Sequence, residues 1–351
     1  MENNKVLVYD LSLDVLKKKI KDLGQPEYRA GQIWTAIYQT FRTSPEEITT
    51  LPKGFRDKLD QFFSFQALTP VQAIESDDRL TIKTLFRLND GNFIEAVLMF
   101  YNDRRTLCIS SQSGCGIGCS FCATGQMGFR RNLTSGEIVA QVMYYARYLA
   151  EMDENVTNVV VMGMGEPFQN YDNVITALNR LNDPKAFGLG ARRFTISTVG
   201  LVPKIRQFAD EGYQYNLAIS LHTVDDELRS KLIPINKKYP VNELISACRY
   251  YVRKTSRRVT FEYALIQGVN DSTEDALALA NKLRGMICHV NLIQLNPTKE
   301  FSEQGSSAER ANSFCETLEA NNISCTIRLR RGIEIQAGCG QLATDAEMEK
   351  L

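Results

Sequence analysis

Long apolar runs are absent from this 351-residue chain, and histidine and tryptophan are scarce, with two residues and one residue. No stretch approaches the ~18 consecutive apolar residues that a membrane-spanning helix needs. The first residues, Met-Glu-Asn-Asn-Lys, are not followed by an apolar segment, so no signal peptide is expected. We therefore predict a cytoplasmic protein with no membrane partner.

An excess of either charge is also lacking. The chain has 41 Lys and Arg against 41 Asp and Glu, so its formal net charge is zero. This balance argues against a protein that coats nucleic acid indiscriminately, although it allows a local basic face. Nine cysteines are present, and in a reducing compartment they favour metal ligation or catalysis over structural disulfides.

Helical patterns fill residues 1–66, which we predict to be a small helical domain. Ser12 is a good N-cap, and Leu16 and Ile20 then fall on one helical face. A second helix is predicted over Tyr28–Tyr38. Residues 67–104 differ, because alternating apolar residues on both sides of a turn indicate paired strands that form an extension.

From residue 105 to residue 345, β-rich runs alternate with helical patterns. The six runs are Thr106–Ser111, Asn158–Met162, Arg193–Thr198, Asn216–Leu221, Val259–Ile266 and Val290–Leu295. Strands that alternate with helices form parallel sheets, and six such units fall short of a closed eight-unit barrel. We therefore predict an α/β fold with a partial (β/α)6 barrel, in which ligands bind at the carboxyl ends of the strands.

Three closely spaced cysteines, Cys115, Cys119 and Cys122, follow the first predicted parallel strand in a glycine-rich loop. Three thiolates can hold three irons of a [4Fe–4S] cube and leave the fourth iron open for a ligand. The alternative is a structural zinc site, which needs four ligands. The nearest histidine is His222, so no fourth ligand lies close in sequence.

Phe121 directly precedes the last of these cysteines, and further motifs are spread along nearly the whole chain. They are Tyr28–Trp34, Cys108–Gln112, Gly128–Leu133, Gly163–Pro167, Ser220–His222, Leu295–Pro297 and Gly338–Leu342. Together they resemble the RlmN/Cfr family of radical-SAM RNA methyltransferases. The resemblance implies a radical-SAM barrel with an N-terminal helical accessory domain that helps to grip RNA.

The resemblance also implies the cofactors, a [4Fe–4S] cluster and S-adenosylmethionine (SAM). Cys115, Cys119 and Cys122 would ligate the cluster. The expected SAM contacts are Gly165, Glu166, Ser197, Ser220, Leu221, His222 and Asn296. Taken alone, Ser197 could be a local cap and His222 a structural histidine. Their common position at strand carboxyl ends favours a SAM site.

The family mechanism gives roles to two further cysteines and one glutamate. The residue that matches Cys339 is methylated by one SAM, and reductive cleavage of a second SAM leads to removal of hydrogen from that methyl group. The resulting carbon adds to adenine, and Cys108 resolves the adduct through a Cys108–Cys339 disulfide. Glu95 matches the proton acceptor, although a glutamate on a strand is more commonly a surface residue. The glycines beside Cys339 suggest a mobile loop.

The implied substrates are adenosines, methylated at carbon 2, in the peptidyl-transferase centre of 23S ribosomal RNA and at position 37 of tRNA. An electron donor such as flavodoxin and a monomeric state are also implied. Basic residues that could contact phosphates form three groups, although a solvated surface remains the alternative for the first. The groups are Arg249–Arg258; Arg328, Arg330 and Arg331; and Arg130 with Arg131.

Two alternatives lead to different functions. The Cfr-like branch of the family methylates carbon 8, but Gly165–Pro167 and Thr260–Ala264 resemble the RlmN branch more closely. Phe168–Gln169 departs from that branch, which affects local packing only. The second alternative is a non-catalytic iron–sulfur or zinc protein that binds RNA, and such a protein would not need Cys108 and Cys339. The remaining cysteines are predicted core residues, namely Cys248, Cys288, Cys315 and Cys325.

Overall fold

The computed structural model describes residues 5–328 and 331–343, and it begins with a group of helices. A short strand, β1 (Val6–Leu7), pairs in parallel with β2 (Phe63–Ser64). The helices between these strands are α1 (Leu13–Asp22), α2 (Tyr28–Tyr38) and α3 (Lys53–Phe62). Two of these helices have their predicted positions, because α1 follows Ser12 directly and α2 spans the predicted residues.

An antiparallel ribbon follows the helices. Its strands are β3 (Leu68–Glu75), β4 (Thr81–Leu88) and β5 (Phe93–Tyr101), each paired with the next. The pairing of β4 with β5 was predicted, whereas β3 was not. Pro70 interrupts the period of β3, and the register shifts between Pro70 and Gln72. A proline within a run of residues weakens the sequence signal for a strand.

Strand β6 (Arg104–Cys108) joins this ribbon to the rest of the sheet. It pairs antiparallel with β5 on one side. Immediately after it, the chain leaves the main sheet and forms β7 (Gln112–Gly114), the short helix α4 (Ala123–Gln126) and β8 (Phe129–Asn132). Strands β7 and β8 pair antiparallel, so they hold the residues between them as a loop at the carboxyl end of β6.

Helices and strands then follow one another as far as residue 327. In order they are α5 (Ser135–Ala150), β9 (Asn158–Val161), α6 (Tyr171–Asn182), β10 (Phe194–Thr198), α7 (Val202–Glu211), β11 (Asn216–Ser220), α8 (Asp226–Leu232), α9 (Val241–Thr255), β12 (Val259–Leu265), α10 (Thr273–Leu283), β13 (Cys288–Gln294), α11 (Ala308–Ala320) and β14 (Cys325–Ile327). Strands β6 and β9 to β14 pair in parallel in chain order.

The main sheet has ten strands in the order β14-β13-β12-β11-β10-β9-β6-β5-β4-β3. Its parallel part comprises six helical crossovers, which confirms the predicted partial (β/α)6 barrel. The last strand, β14, was not predicted because it has only three residues. Since all the parallel strands point the same way, their carboxyl ends form one rim, where ligands bind in such folds.

Helix α5 packs behind the first parallel strands, and its start follows from local sequence. The Thr134 hydroxyl accepts from the Glu137 backbone N–H at 3.2 Å, and the Glu137 carboxylate accepts from the Thr134 N–H at 2.9 Å. This is the capping box that the sequence indicates. None of the helices in the described part of the chain combines the length and apolarity of a membrane-spanning segment.

Hydrogen bonds fasten the N-terminal helices to the barrel. The Asp10 carboxylate accepts from the Gly136 N–H at 2.7 Å, in the first turn of α5. Arg180 on α6 donates to the Tyr9 carbonyl at 2.7 Å and lies over the Trp34 ring at 5.1 Å. These contacts hold the N-terminal helices against α5 and α6, which belong to the outer layer of the barrel.

Candidate active site

The loop that contains the three clustered cysteines is held close to the barrel rim. Gly114 has a φ of +72°, and a Cβ there would lie 2.0 Å from the Gly128 carbonyl oxygen. Only glycine fits this position, which brings the Cys115 N–H within 2.8 Å of the same oxygen. The loop therefore folds back against the β7–β8 hairpin.

Cys115, Cys119 and Cys122 all line one cavity at the carboxyl ends of the strands. Burial raises the pKa of the Cys115 thiol to about 12, and it also raises the pKa values of the Cys119 and Cys122 thiols. Thiols bind metals as thiolates, so the positive charge of a metal group must overcome this burial. Three thiols that line one cavity are a donor set that suits a metal group.

The number of clustered cysteines distinguishes a cluster from a single ion. A structural zinc site has four protein ligands. Three thiolates can hold three irons of a [4Fe–4S] cube and leave the fourth iron open. The three cysteines of this loop line one cavity, so they fit a [4Fe–4S] cluster better than a structural zinc ion.

The cavity beside the cysteines has a volume of about 970 Å³, including its open mouth. Most of the predicted SAM contacts line it, and they come from the carboxyl ends of four strands, β9, β10, β11 and β13. They are Gly165, Glu166, Ser197, Ser220, His222 and Asn296. The side chain of Leu221 lies outside the cavity lining and is fully buried. The Leu221 N–H donates to the Glu262 carbonyl at 3.0 Å, so its backbone connects the end of β11 to β12.

Glu166 is a buried carboxylate on the cavity wall. Its two oxygens accept from the backbone N–H groups of Phe168 and Val199, each at 2.9 Å. Burial nevertheless raises the pKa of the Glu166 carboxyl to about 7. A cationic ligand would favour the charged form, so this wall suits an ammonium group. The neighbouring Gly165 packs closely against Gln112, because a Cβ at residue 165 would lie 2.5 Å from the Gln112 side chain.

His222 is fixed as a neutral ring. Its Nδ1 accepts from the Ala264 N–H at 2.9 Å, and burial lowers its pKa to about 3. Its backbone has a φ of +62°, which is uncommon outside glycine and aims the ring back at the cavity. Phe121 contacts this ring edge-on, with centroids 4.9 Å apart. Phe121, which precedes the last cluster cysteine, therefore connects the cysteine loop to the part of the cavity wall that contains His222.

The loop that carries Cys339 closes over the same cavity. The Gly340 carbonyl accepts from the Ala123 N–H at 2.8 Å, and the Leu342 carbonyl accepts from the Thr124 hydroxyl at 2.6 Å. Cys339 itself is exposed and lines the cavity. Its carbonyl accepts a longer hydrogen bond of 3.4 Å from the Asn296 amide. A predicted SAM contact thus also touches the Cys339 loop.

The glycines around Cys339 have a different role from the predicted one. A Cβ on Gly338 would lie 2.5 Å from the Asn296 amide nitrogen and 2.7 Å from the Gln341 side-chain oxygen. Gly340 has a φ of +80°. Both glycines are therefore required by close packing and backbone geometry, and the mobility of this loop stays a prediction.

Cys108 ends strand β6 and faces a second cavity, which adjoins the first. This cavity has a volume of about 740 Å³ and is lined by Cys108, Cys339 and Arg328. Burial raises the pKa of the Cys108 thiol to about 12, and a thiolate at Cys339 would add to this effect. Cys108 and Cys339, 231 positions apart in sequence, are thus brought to one cavity.

Glu95 lies on β5, outside the lining of both cavities, and is fully buried. It forms an ion pair with the buried Lys83 at 2.8 Å. Its other carboxylate oxygen accepts from the Ala343 N–H at 2.9 Å. It is therefore not a surface glutamate, and it ties the segment after Cys339 to the antiparallel ribbon.

The predicted basic groups are partly engaged within the protein. Arg131 pairs with Asp90 and with Glu137, the latter at 2.7 Å, so part of the third group is neutralised. Arg249 donates to the carbonyls of residues 282 and 284, and Arg257 donates to the Asn216 amide oxygen at 2.8 Å. Those acceptors are neutral, so the first group keeps its charge while two of its side chains are held against the protein. Arg330 lies outside the described residues.

Arg229 is a site residue that the sequence analysis missed. It is 1% exposed, and its guanidinium donates to backbone carbonyls at the ends of β10 and β11. Burial lowers its pKa to about 10. These bonds fix the strand ends that carry Ser197 and His222. A charged residue at an apolar position of α8 was the available signal.

Comparison with known proteins identifies relatives over the whole length. Residues 109–280 match the radical SAM superfamily. A probable dual-specificity RNA methyltransferase RlmN of Chloroflexus aurantiacus is 46% identical, covering 96% of this chain and 92% of that protein. The one from Geobacillus kaustophilus is also 46% identical, covering 98% and 94%. A crystal structure of a radical SAM methyltransferase from Sphaerobacter thermophilus matches with 50% identity and a TM-score of 0.95, covering 97% of this chain and all of that one.

Proposed function

We propose a specific reaction for this chain, which belongs to the RlmN family of radical-SAM RNA methyltransferases: it methylates carbon 2 of adenosine in RNA through a methyl group carried on Cys339. One observation carries the proposal. Cys339 lies on a loop that is hydrogen-bonded to the cluster loop and borders the same cavity as the three cluster cysteines. A methyl carrier needs this access both to SAM and to the open face of the protein.

A carrier is needed because carbon 2 of adenine is electron-poor and has no nucleophilic lone pair. Direct displacement on SAM would therefore fail. A thiolate is a strong nucleophile and can accept the methyl group first. Cys339 is the exposed thiol of the cavity, which supports it as the acceptor.

The remaining residues hold the reactants. Cys115, Cys119 and Cys122 would hold the [4Fe–4S] cluster, which together with SAM supplies the reductive cleavage that starts the second half of the reaction. Glu166, with a carboxyl pKa of about 7, would accept hydrogen bonds from the SAM ammonium group. Neutral polar groups would contact the ribose and the adenine, namely those of Ser197, Ser220, His222 and Asn296.

Two residues would complete the reaction. Cys108 would attack the Cys339 sulfur and release the methylated base, leaving a Cys108–Cys339 disulfide. Their shared cavity supports this role. Glu95 is the predicted acceptor of the proton from carbon 2. It lies beneath the Cys339 segment and not on the cavity wall, so it would act once that segment has moved.

The proposed substrates are 23S ribosomal RNA and tRNA, and the proposed location is the cytoplasm, where both occur. The target adenosine must leave its stack to reach the cavity, so we expect a flipped base or a splayed loop. The N-terminal helices would help to grip the RNA. A small electron-transfer protein such as flavodoxin would supply the electrons, and the enzyme would act as a monomer.

Nucleoside mass spectrometry tests the proposed reaction. Enzyme with a reconstituted cluster is given SAM, a reductant and unmodified ribosomal RNA or tRNA without oxygen. We expect 2-methyladenosine in both RNAs and none with Cys339→Ala. The appearance of 8-methyladenosine would instead assign the chain to the carbon-8 branch, and no methylated adenosine with SAM cleaved would mean that the substrate is different.

A further inference from the structure

Arg328, which follows β14, borders the active site and also an open cavity that contains Arg257 and Arg258. It lines both cavities that contain Cys339. Its Nη1 donates to the Cys339 Sγ at 3.6 Å. Its backbone is fixed as well, because its N–H donates to the Leu292 carbonyl at 2.8 Å. The charge that Cys339 would carry as a thiolate is the main cause that raises the pKa of Arg328.

Glu262 on β12 is the second charged group in this region. It is 5% exposed and lines the same cavity as Arg328 and Cys339. One of its oxygens accepts from the Asn291 amide at 3.1 Å. The other, Oε2, has no hydrogen-bond partner among the described residues. Burial raises the pKa of Glu262, and the positive charge of Arg328 opposes that effect.

A chain of hydrogen bonds beneath Glu262 favours its charged form. Asn291 donates to Glu262, and its amide oxygen accepts from the Thr326 hydroxyl at 2.8 Å. The Thr326 hydroxyl already donates its hydrogen to Asn291, so it can only accept from the His289 Nε2, which lies 2.9 Å away. The His289 Nε2 must therefore carry a hydrogen. The His289 Nδ1 then accepts from Ser324 at 2.9 Å. Each bond donates toward Glu262, which stabilises a carboxylate anion.

We propose that Arg328 is the positioning residue for the methylation of Cys339, and that Glu262 supports Arg328 as a counter-charge in the same cavity. The inference rests on the proposed role of Cys339 as methyl carrier. The planar guanidinium fixes the direction of the sulfur through its N–H group, and its positive charge holds the sulfur when the sulfur is the nucleophilic anion. Glu262 lines the same cavity as Arg328, where its carboxylate provides a negative charge.

The methyl transfer itself balances without any further reactant. The Cys339 thiol loses its proton to solvent, and the sulfur forms a bond to the methyl carbon of SAM. The bond between that carbon and the SAM sulfur breaks, and its electron pair stays on the departing thioether. Arg328 and Glu262 remain chemically unchanged throughout.

The test separates the first half of the reaction from the second. Enzyme with its cluster is given SAM with an isotopically labelled methyl group, and labelling of Cys339 is followed by mass spectrometry. The variants are Arg328→Met, Arg328→Lys and Glu262→Gln. Arg284→Gln is the control, because Arg284 is exposed, bonds only to Asn281 through its side chain and lies outside the cavities.

We expect Arg328→Met to label Cys339 about tenfold more slowly or worse, because a hydrogen bond to a charged group is lost. Its Kd for SAM should stay within about twofold of the unmodified value, since Arg328 does not hold SAM. Arg328→Lys should recover part of the rate, Glu262→Gln should show a smaller loss than Arg328→Met, and Arg284→Gln should match the unmodified enzyme.

Labelling of Arg328→Met at the unmodified rate would overturn the inference, and a loss confined to RNA methylation would mean that Arg328 contacts RNA. Equal rates for Arg328→Met and Arg328→Lys would also overturn it, since a purely structural defect does not distinguish the retained charge. If the unmodified enzyme fails to label Cys339, the proposed function fails instead. The two failures are therefore distinguishable.

Discussion

Three buried carboxylates near the active site differ in what surrounds them. Glu95 has a buried lysine, Glu166 has two backbone N–H groups, and Glu262 has an amide and a nearby guanidinium. A buried carboxylate is stable only when its charge is matched, and the matching group determines its chemistry. Glu166 therefore suits a cationic ligand, whereas Glu262 suits the support of Arg328.

Glu95 allows a sharp test because it is both a predicted proton acceptor and half of a buried ion pair. Glu95→Gln removes the carboxylate charge that pairs with the buried Lys83, so we expect the free energy of unfolding to fall by about 3 kcal/mol. We also expect Cys339 to be methylated while RNA is not, because the proton acceptor is gone. Chemical denaturation and the two half-reactions measure these effects.

The control for this test is Lys83→Met, which removes the same ion pair and keeps the carboxylate. It should lose a similar free energy of unfolding. If Glu95→Gln still methylates RNA at the rate of Lys83→Met, the role of Glu95 is structural. If neither variant is destabilised, the Lys83–Glu95 ion pair does not stabilise the fold.

At the scale of elements, local signals predicted those with strong caps and a regular period. Helix α5 begins at a capping box that its local sequence encodes, and α2 spans Tyr28–Tyr38 as its apolar spacing indicates. Short or irregular elements were missed, among them β14 and the interrupted β3. Residues Ser44 and Glu47 have the spacing of a capping box, but only a single 3₁₀ turn forms at Pro45–Glu47. There Glu47 accepts from Thr43 and not from the cap residue, Ser44.

The Cys339 loop is the element whose geometry matters most, and Gly338 tests it. Gly338→Ala would place a Cβ 2.5 Å from the Asn296 nitrogen, so the loop must shift away from the cavity. We expect methylation of Cys339 to slow by about tenfold, because misplacement of a reacting atom by less than 1 Å is costly. The rate of labelling from SAM measures this.

Gly190→Ala is the matched control, since a Cβ there meets nothing within 4 Å and Gly190 precedes β10 at the opposite end of the strands. It should label Cys339 at the unmodified rate. Normal labelling in Gly338→Ala would show that the contact with Asn296 does not set the position of the loop.

At the scale of the whole molecule, the order of the parallel strands was predicted, whereas their continuity with the antiparallel ribbon was not. Alternation of strands and helices forces neighbours in sequence to become neighbours in the sheet. Strands β5 and β6 form a hairpin with a two-residue turn, and this turn was not recognised from the sequence as the link between the two parts of the sheet. That pairing brings Glu95 beneath the Cys339 segment and makes the sheet ten strands wide.

The site shows the same division. The cluster cysteines and strand-end residues follow from spacing and fold, because parallel strands gather their carboxyl ends at one rim. The placement of Cys108 beside Cys339 was implied only by the family resemblance. The contacts of Arg328 and Glu262 could not be predicted, because they depend on side chains from distant strands that meet in one cavity.

Transfer of a labelled carbon tests the central claim, that Cys339 carries the methyl group to RNA. The enzyme is first methylated on Cys339 with SAM that has a carbon-13 methyl group, and the labelled SAM is then removed. Unlabelled SAM, reductant and unmodified tRNA are added for one turnover. We predict that the 2-methyladenosine formed contains carbon-13 and that Cys339 loses it. Label that stays on Cys339 while the RNA gains an unlabelled methyl group would contradict the account.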